Sequence, residues 1–290
     1  MQYVNKALKE RLKSYRKRPV SLLLFLPVMI SAAITMGILL LLTGYIIVKG
    51  IPNIKPDLFS WEYSTANVSL MPALINTVLM IAISLLISVP VGALSAVYLV
   101  EYAKSNSRLV RIIRITAETL SGIPSIVYGL FGMLFFVTTL GWGMSLLAGA
   151  CTLSIMILPL IMRTAEEALK AVPASYREGS YGLGAGKLRT IFKIVLPSAM
   201  PGIIAGIILA IGRIVGESAA LIYTAGTVAK IPEGKDFLLD STRTLSVHMY
   251  ALSSEGLYLN QAYATAVILL LTVLAINSLS AYLAKRLTKS

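Results

Sequence analysis

One cysteine and one histidine in 290 residues remove several functions at once. Cys151 has no partner for an internal disulfide, and neither it nor His248 stands at metal-ligand spacing from a second such residue. Cys151 is read as helix packing and His248 as a loop residue. Charge is scarce too: 13% of the chain is charged, where a soluble domain carries roughly a quarter. Acids are scarcer than bases, 13 against 26, which leaves a net charge of +13. A nucleic-acid surface is excluded, because the bases follow topology and form no aromatic-interleaved patch. Neither a nucleophile–base set nor a metal cluster stands at membrane depth, so the chain is not expected to be an enzyme.

What is abundant is apolar: 57% of the residues are hydrophobic, with a mean hydropathy of +0.80. Val20–Val48 has no charge across 29 positions, far beyond the about 7–15 residues of a signal-peptide core. It reads as a retained span. A bilayer crossing needs about 20 apolar residues, and the other qualifying runs are Tyr63–Val100, Thr119–Met162, Ile194–Gly212 and Gly256–Ala284. The third is 44 residues long, enough for two crossings, with a Gly-containing turn at Thr138–Gly143. The fourth is short alone and is extended past Arg213 and Glu217 to about Tyr223. The expected architecture is all-α integral membrane, with six transmembrane helices.

Lys and Arg divide unevenly between the two sides. The N-terminal tail, the 101–118 and 163–193 loops and the C-terminal tail hold 20, whereas the opposite loops hold 5. By the positive-inside rule both termini are cytoplasmic. Two polar segments, about Lys49–Asn67 and Ala225–Glu255, face outward and offer a surface to an external partner.

The cytoplasmic loop before the fifth span reads EGSYGLGAGKLRTIFKIVLP from Glu178. A short helix is expected over Ala165–Ala171, interrupted by Pro173, and a second stretch over Tyr176–Leu183 ends at a glycine cluster. Gly186-Lys187 suggests a phosphate loop, but position 181 is tyrosine and position 188 is leucine. Without the glycine and the hydroxyl no nucleotide site of that kind forms. Glu178, Gly179, Ser180, then Gly184, then Ile194, Leu196 and Pro197 follow the register E-A-A-x3-G-x9-I-x-L-P. That register resembles the EAA loop of bacterial ABC importer permeases, with Gly179 and Ser180 where alanines usually stand. The bland alternative is a basic amphipathic loop on lipid headgroups.

SGIPSIVYGLFG (Ser121–Gly132) and GRIVGESAAL (Gly212–Leu221) are similar to segments of phosphate-importer permeases. The tail with LSVHMYALSSEG and NQAYATAVILLL is more PstA-like than PstC-like. The resemblance covers the chain from about Leu70 onward. It implies a type I ABC importer permease core over about 70–286, a basic tail over 1–19 and a coupling helix in the 163–196 loop, all within one permease domain spanning 1–290. It further implies that Glu178, Gly179, Ser180 and Gly184 serve coupling to an ATPase dimer. The other implied partners are a second, PstC-like permease, an extracytoplasmic phosphate-binding protein and membrane lipid. No cofactor belongs to the chain itself; ATP and magnesium sit on the partner ATPases. The implied location is the bacterial cytoplasmic (inner) membrane.

Arg213 and Glu217 stand out within the fifth span. About 24 Å along the helix from Pro197, they must face protein or a watery path, since a lipid-facing charge costs at least a few kcal/mol. One reading is an i, i+4 ion pair, although Arg before Glu is the poorer order. The other has Arg213 line the substrate path, its planar fork matching oxyanion oxygens. Glu217 then either accepts a proton-bearing phosphate oxygen, holds the guanidinium, or pairs with a partner subunit. Gly122 and Pro124 are expected to kink the third span, which brings Ser121 and Ser125 to the path. Asn76 and Thr77 are read as helix–helix hydrogen bonders. Two competitors remain: a permease for another oxyanion such as sulfate or molybdate, and an ion-coupled secondary transporter using the Arg–Glu pair as a proton relay.

Overall fold

The computed structural model describes residues 19–104 and 107–287. The basic tail at 1–19 therefore lies, but for its last residue, outside the described residues. Among those described there is helix and no strand. In lipid every backbone N–H and C=O must be satisfied within its own segment, and a helix does that.

The chain divides into two compact units that meet in sequence at Gly50. The first contains helix α1 (Pro19–Gly50) up to its last residue, Gly50, which opens the second. The second runs through two 3-10 turns, Ile51–Asn53 and Pro56–Phe59, to α2 (Met71–Tyr102). The helix thus begins eight residues after the apolar run starts at Tyr63. Then follow α3 (Arg108–Ser121), α4 (Ser125–Thr139), α5 (Leu146–Ala171), α6 (Ala174–Gly182) and α7 (Lys187–Gly216). The chain ends with α8 (Ala219–Thr224), α9 (Leu245–Glu255) and α10 (Leu259–Leu287).

Helix α5 is the axis of the second unit. Helices α2 and α7 pack along it, and Met80, Leu153, Ile157, Ile161 and Ile214 meet in the core. Small residues allow the close approach that membrane helices rely on. A Cβ on Gly92 would sit 2.8 Å from Ile161, and one on Gly202 would sit 2.6 Å from Ala168. Ser154 Oγ donates to the Ser84 carbonyl at 3.1 Å, and Ser84 Oγ to that of Ala150 at 3.3 Å, stitching α2 to α5.

Among the described residues five helices are long and apolar enough to cross a membrane, and a bent pair makes a sixth if it counts as one span. Helices α3 and α4 meet at 102° across Gly122–Pro124. The kink expected there is therefore a sharp corner. Pro124 takes extended backbone (φ −58°, ψ 141°), and the Tyr128 hydroxyl donates to the Leu120 carbonyl at 2.8 Å across the corner.

Three expectations are corrected. Helix α5 continues unbroken to Ala171, so Ala165–Ala171 is its last turns and not a separate helix. Beyond the apolar run, Arg163–Glu167 and Glu166–Lys170 pair at i, i+4 and let the helix continue. The fifth span does not extend past Glu217: α7 stops at Gly216, and Glu217 is extended. His248 is not a loop residue, for it lies fully buried within α9.

Candidate functional site: a charged cavity beside the central helix

A cavity of about 550 Å³ opens between α3, α5 and α7. Its polar lining comes from Arg114, Glu118 and Ser121 on α3, from Arg163, Thr164, Glu166, Glu167 and Lys170 on α5, and from Arg213 on α7. The sequence places these groups on one side because α5 carries its charges over two turns past the apolar run, and α3 is amphipathic. Leu109, Ile112 and Ile115 lie exposed on one face of α3, while Val110 on another face is buried.

The charges in this wall are largely matched. Arg114 Nη2 and Lys170 Nζ lie 2.7 Å and 2.6 Å from the same oxygen of Glu166, whose side chain is 7% exposed. Arg163 Nε reaches Glu167 at 3.3 Å. Among the described residues, Arg213 is the one cation of the lining with no carboxylate within ion-pair distance. It is half-buried, three residues before the end of α7.

Arg213 and Glu217 do not form the ion pair considered from the sequence. The buried Glu217 carboxylate accepts instead from the Ala220 N–H at 3.0 Å, in the first turn of α8. Its backbone carbonyl accepts from Ser246 Oγ at 2.5 Å. A carboxylate at a helix N-terminus satisfies a free donor and meets the positive end of the dipole. Glu217 thereby organises the break that ends α7. The helix beyond the break packs on α4, where a Cβ on Gly129 would lie 2.8 Å from Ala220 Cα.

Of the four residues singled out for the path, the cavity brings together Arg213 and Ser121. Ser121 Oγ donates to the Glu118 carbonyl at 2.7 Å. Ser125 opens α4 beyond the corner and, like Glu217, is outside the lining. Asn76 and Thr77 bond to the 225–255 segment and not to another span. Asn76 Nδ2 donates to the carbonyls of Lys230 (2.9 Å) and Arg243 (3.3 Å), and Thr77 Oγ1 accepts from the Leu245 N–H at 2.8 Å.

The loop between α5 and α7 holds the other four. Glu178, Gly179 and Ser180 lie on α6, and Gly184 turns the chain after it with φ +79°. Glu178 and Gly179 are exposed, whereas Ser180 is buried with its hydroxyl 2.8 Å from that of Thr190. Leu183, 91% exposed, stands at the tip. Sequence reasoning missed Arg114, Glu166 and Lys170, as well as Glu101, which pairs with Arg177. The available signal was three acids, Glu101, Glu166 and Glu167, at or near the loop ends of spans in a chain with 13 acids.

Comparison with known proteins fits this architecture. The chain is 33% identical over 273 residues to the probable ABC transporter permease protein YqgI of Bacillus subtilis (strain 168), covering 89% of this chain and 92% of that one. It is 43% identical over 154 residues to the phosphate transport system permease protein PstA 1 of Mycobacterium tuberculosis (strain CDC 1551 / Oshkosh). That match covers 53% of this chain and 50% of the mycobacterial one, so the chain spans about half the length of that relative. Among solved structures, a bacterial alginate ABC transporter superposes with a TM-score of 0.66 at 16% identity, over 92% of this chain and 96% of that one. The inward-facing MetNI methionine ABC transporter gives 0.58 at 21% identity, over 75% and 94%. These show a type I ABC importer permease fold. The model of the binding-protein-dependent transport system inner membrane component matches residues 88–289. The chain belongs to that family.

Proposed function

We propose that the chain is the transmembrane permease subunit of an ATP-driven inorganic phosphate importer, forming half of the translocation path. The observation that carries the reading is Arg213, a half-buried guanidinium on the cavity wall left unmatched while its neighbours are paired. A guanidinium presents a planar fork of donors that suits phosphate oxygens. The other charges of the lining cancel, Arg114, Arg163 and Lys170 against Glu118, Glu166 and Glu167, so an entering anion is drawn to Arg213 and is not trapped at the cavity mouth. Ser121 adds a hydroxyl to the same cavity. The PstA name of the mycobacterial relative supports phosphate as the cargo.

The chain has no chemistry of its own in this reading. ATP and magnesium belong to a pair of ATPase subunits that receive α6 through Glu178, Gly179, Ser180 and Gly184. A second, PstC-like permease completes the path, and an extracytoplasmic phosphate-binding protein delivers the anion. Closure of the ATPases rocks the two permeases between accesses. Both termini lie in the cytoplasm, in keeping with the excess of Lys and Arg on the loops that share their side. The permease core runs over about 70–286 of a single membrane domain.

The test is uptake of labelled phosphate into proteoliposomes holding the chain with its partner permease, ATPase and binding protein. Uptake should require ATP and the binding protein and should persist in excess sulfate. Uptake without ATP would point to a secondary transporter, and competition by sulfate would move the cargo to another oxyanion.

A further inference from the structure

Arg177, one residue before Glu178, points away from the exposed face of α6. Its Nε and Nη2 both donate to Glu101 Oε1, at 2.9 Å and 2.6 Å. Its Nη1 donates to the Val172 carbonyl at 2.9 Å, and Nη2 also to that of Leu169 at 3.0 Å. The side chains are 19% and 6% exposed. One guanidinium therefore joins three elements: α6, the carbonyls at and just past the end of α5, and the last turn of α2. That last turn is a π-helix over Tyr98–Tyr102, a form that widens the backbone spiral and occurs often at functional positions.

A second tie lies on the next residue. Lys187 Nζ, at the start of α7, sits 4.4 Å from the centre of the Tyr102 ring. The π-turn thus holds the 174–187 segment near both of its ends, and the Ser180–Thr190 hydroxyl contact closes α6 onto α7. A loop attached only through its two covalent ends would absorb a push on α6 by bending. This one is fastened to α2 by an ion pair that only a planar fork makes in full.

We infer that Glu101 and Arg177, assisted by Tyr102 and Lys187, form a clamp that passes displacement of α6 to the loop end of α2. The pair positions α6 and touches neither substrate nor nucleotide. The inference rests on the reading of α6 as the ATPase-docking helix, and the experiment separates the two.

The complete complex is reconstituted in proteoliposomes with Glu101→Gln, Arg177→Lys and Lys187→Met in this chain, and with Leu183→Asp as a separate control. Three quantities are read: ATPase retained on purification, the hydrolysis rate, and phosphate delivered per ATP. Glu101→Gln and Arg177→Lys should retain the ATPase and its hydrolysis while delivery per ATP falls about three- to tenfold. Lys187→Met is exposed enough to leave folding alone and should give a smaller fall of about twofold, in line with a single exposed cation–π contact. Delivery per ATP equal to wild type in all three would overturn the clamp. Loss of the ATPase from the Glu101 and Arg177 variants would also overturn it, since the pair would then be building the docking face. Leu183→Asp should shed the ATPase; if the ATPase stays bound, the docking reading falls, and the clamp with it.

Discussion

The two ends of the second unit hold themselves together by different chemistry. At the end that carries α6, the ties between helices include ion pairs: Arg114 on Glu166, and Arg177 on Glu101. At the opposite end, side chains grip backbone. Asn76 holds the carbonyls of Lys230 and Arg243, Ser241 that of Ala225, Arg243 that of Thr227 and Ser246 that of Glu217. A bond to backbone fixes one geometry of one loop. A pair between long side chains can follow two helices through a change of angle, or part and form again. The contrast suits a subunit driven from one end.

Breaking a tie at each end sharpens the comparison. The largest stability loss is expected at Arg177→Ala, which strands a carboxylate 6% exposed; removing one partner of a buried pair costs about 3–5 kcal/mol. Thermal unfolding of the purified chain in detergent reads this directly. The opposite end should instead show a pH dependence. Burial first, and the positive charge of Arg243 second, hold the His248 imidazole down to about 3. A folded value below the unfolded one means that the unfolded state binds the proton first. The stability contribution of neutral His248 is complete above about pH 6.5 and is lost as pH falls toward about 3, at about 1.4 kcal/mol per unit. Between pH 6.5 and 5 the wild type should lose about 2 kcal/mol more than His248→Gln. Equal slopes for the two would remove His248 from the account.

Smaller effects follow at the break after α7. Glu217→Ala removes the acceptor for the Ala220 N–H and should cost about 1 kcal/mol. Glu217→Gln keeps an oxygen there and should retain most of the stability and of the uptake. Failure of uptake with Gln, with stability intact, would return Glu217 to the substrate path. The smallest change belongs to Arg163→Ala, since Arg163 and Glu167 are 62% and 66% exposed. Such pairs contribute at most about 0.5 kcal/mol.

Much of this was legible in the apolar runs. Spans, the turn at Gly184 and the corner at Gly122–Pro124 all follow from composition and from residues with few backbone options. The Arg213–Ser121 meeting was legible because a charge inside a span has few places to go. What was hidden depends on distant partners. Nothing near Glu217 announces that Ser246 will take its carbonyl, so an i, i+4 spacing inside an apolar run reads as continuous helix. Arg163 looked like the end of a span because the ion pairs that extend α5 are a property of the folded helix. Glu101 and Arg177 are 76 residues apart, and neither spacing nor composition joins them. His248 lost its loop assignment for a similar reason: α9 is short, and its burial comes from neighbours outside it.

The central claim is that Arg213 offers the path an unmatched positive charge. The most direct measurement is ATP-driven uptake of labelled phosphate by the reconstituted complex with Arg213→Ala, set against its rate of ATP hydrolysis. Losing a charge-assisted bond to the anion should lower uptake about 10- to 100-fold, with the complex intact and the ATPase still active. Wild-type uptake in the variant would contradict the account and take Arg213 off the path.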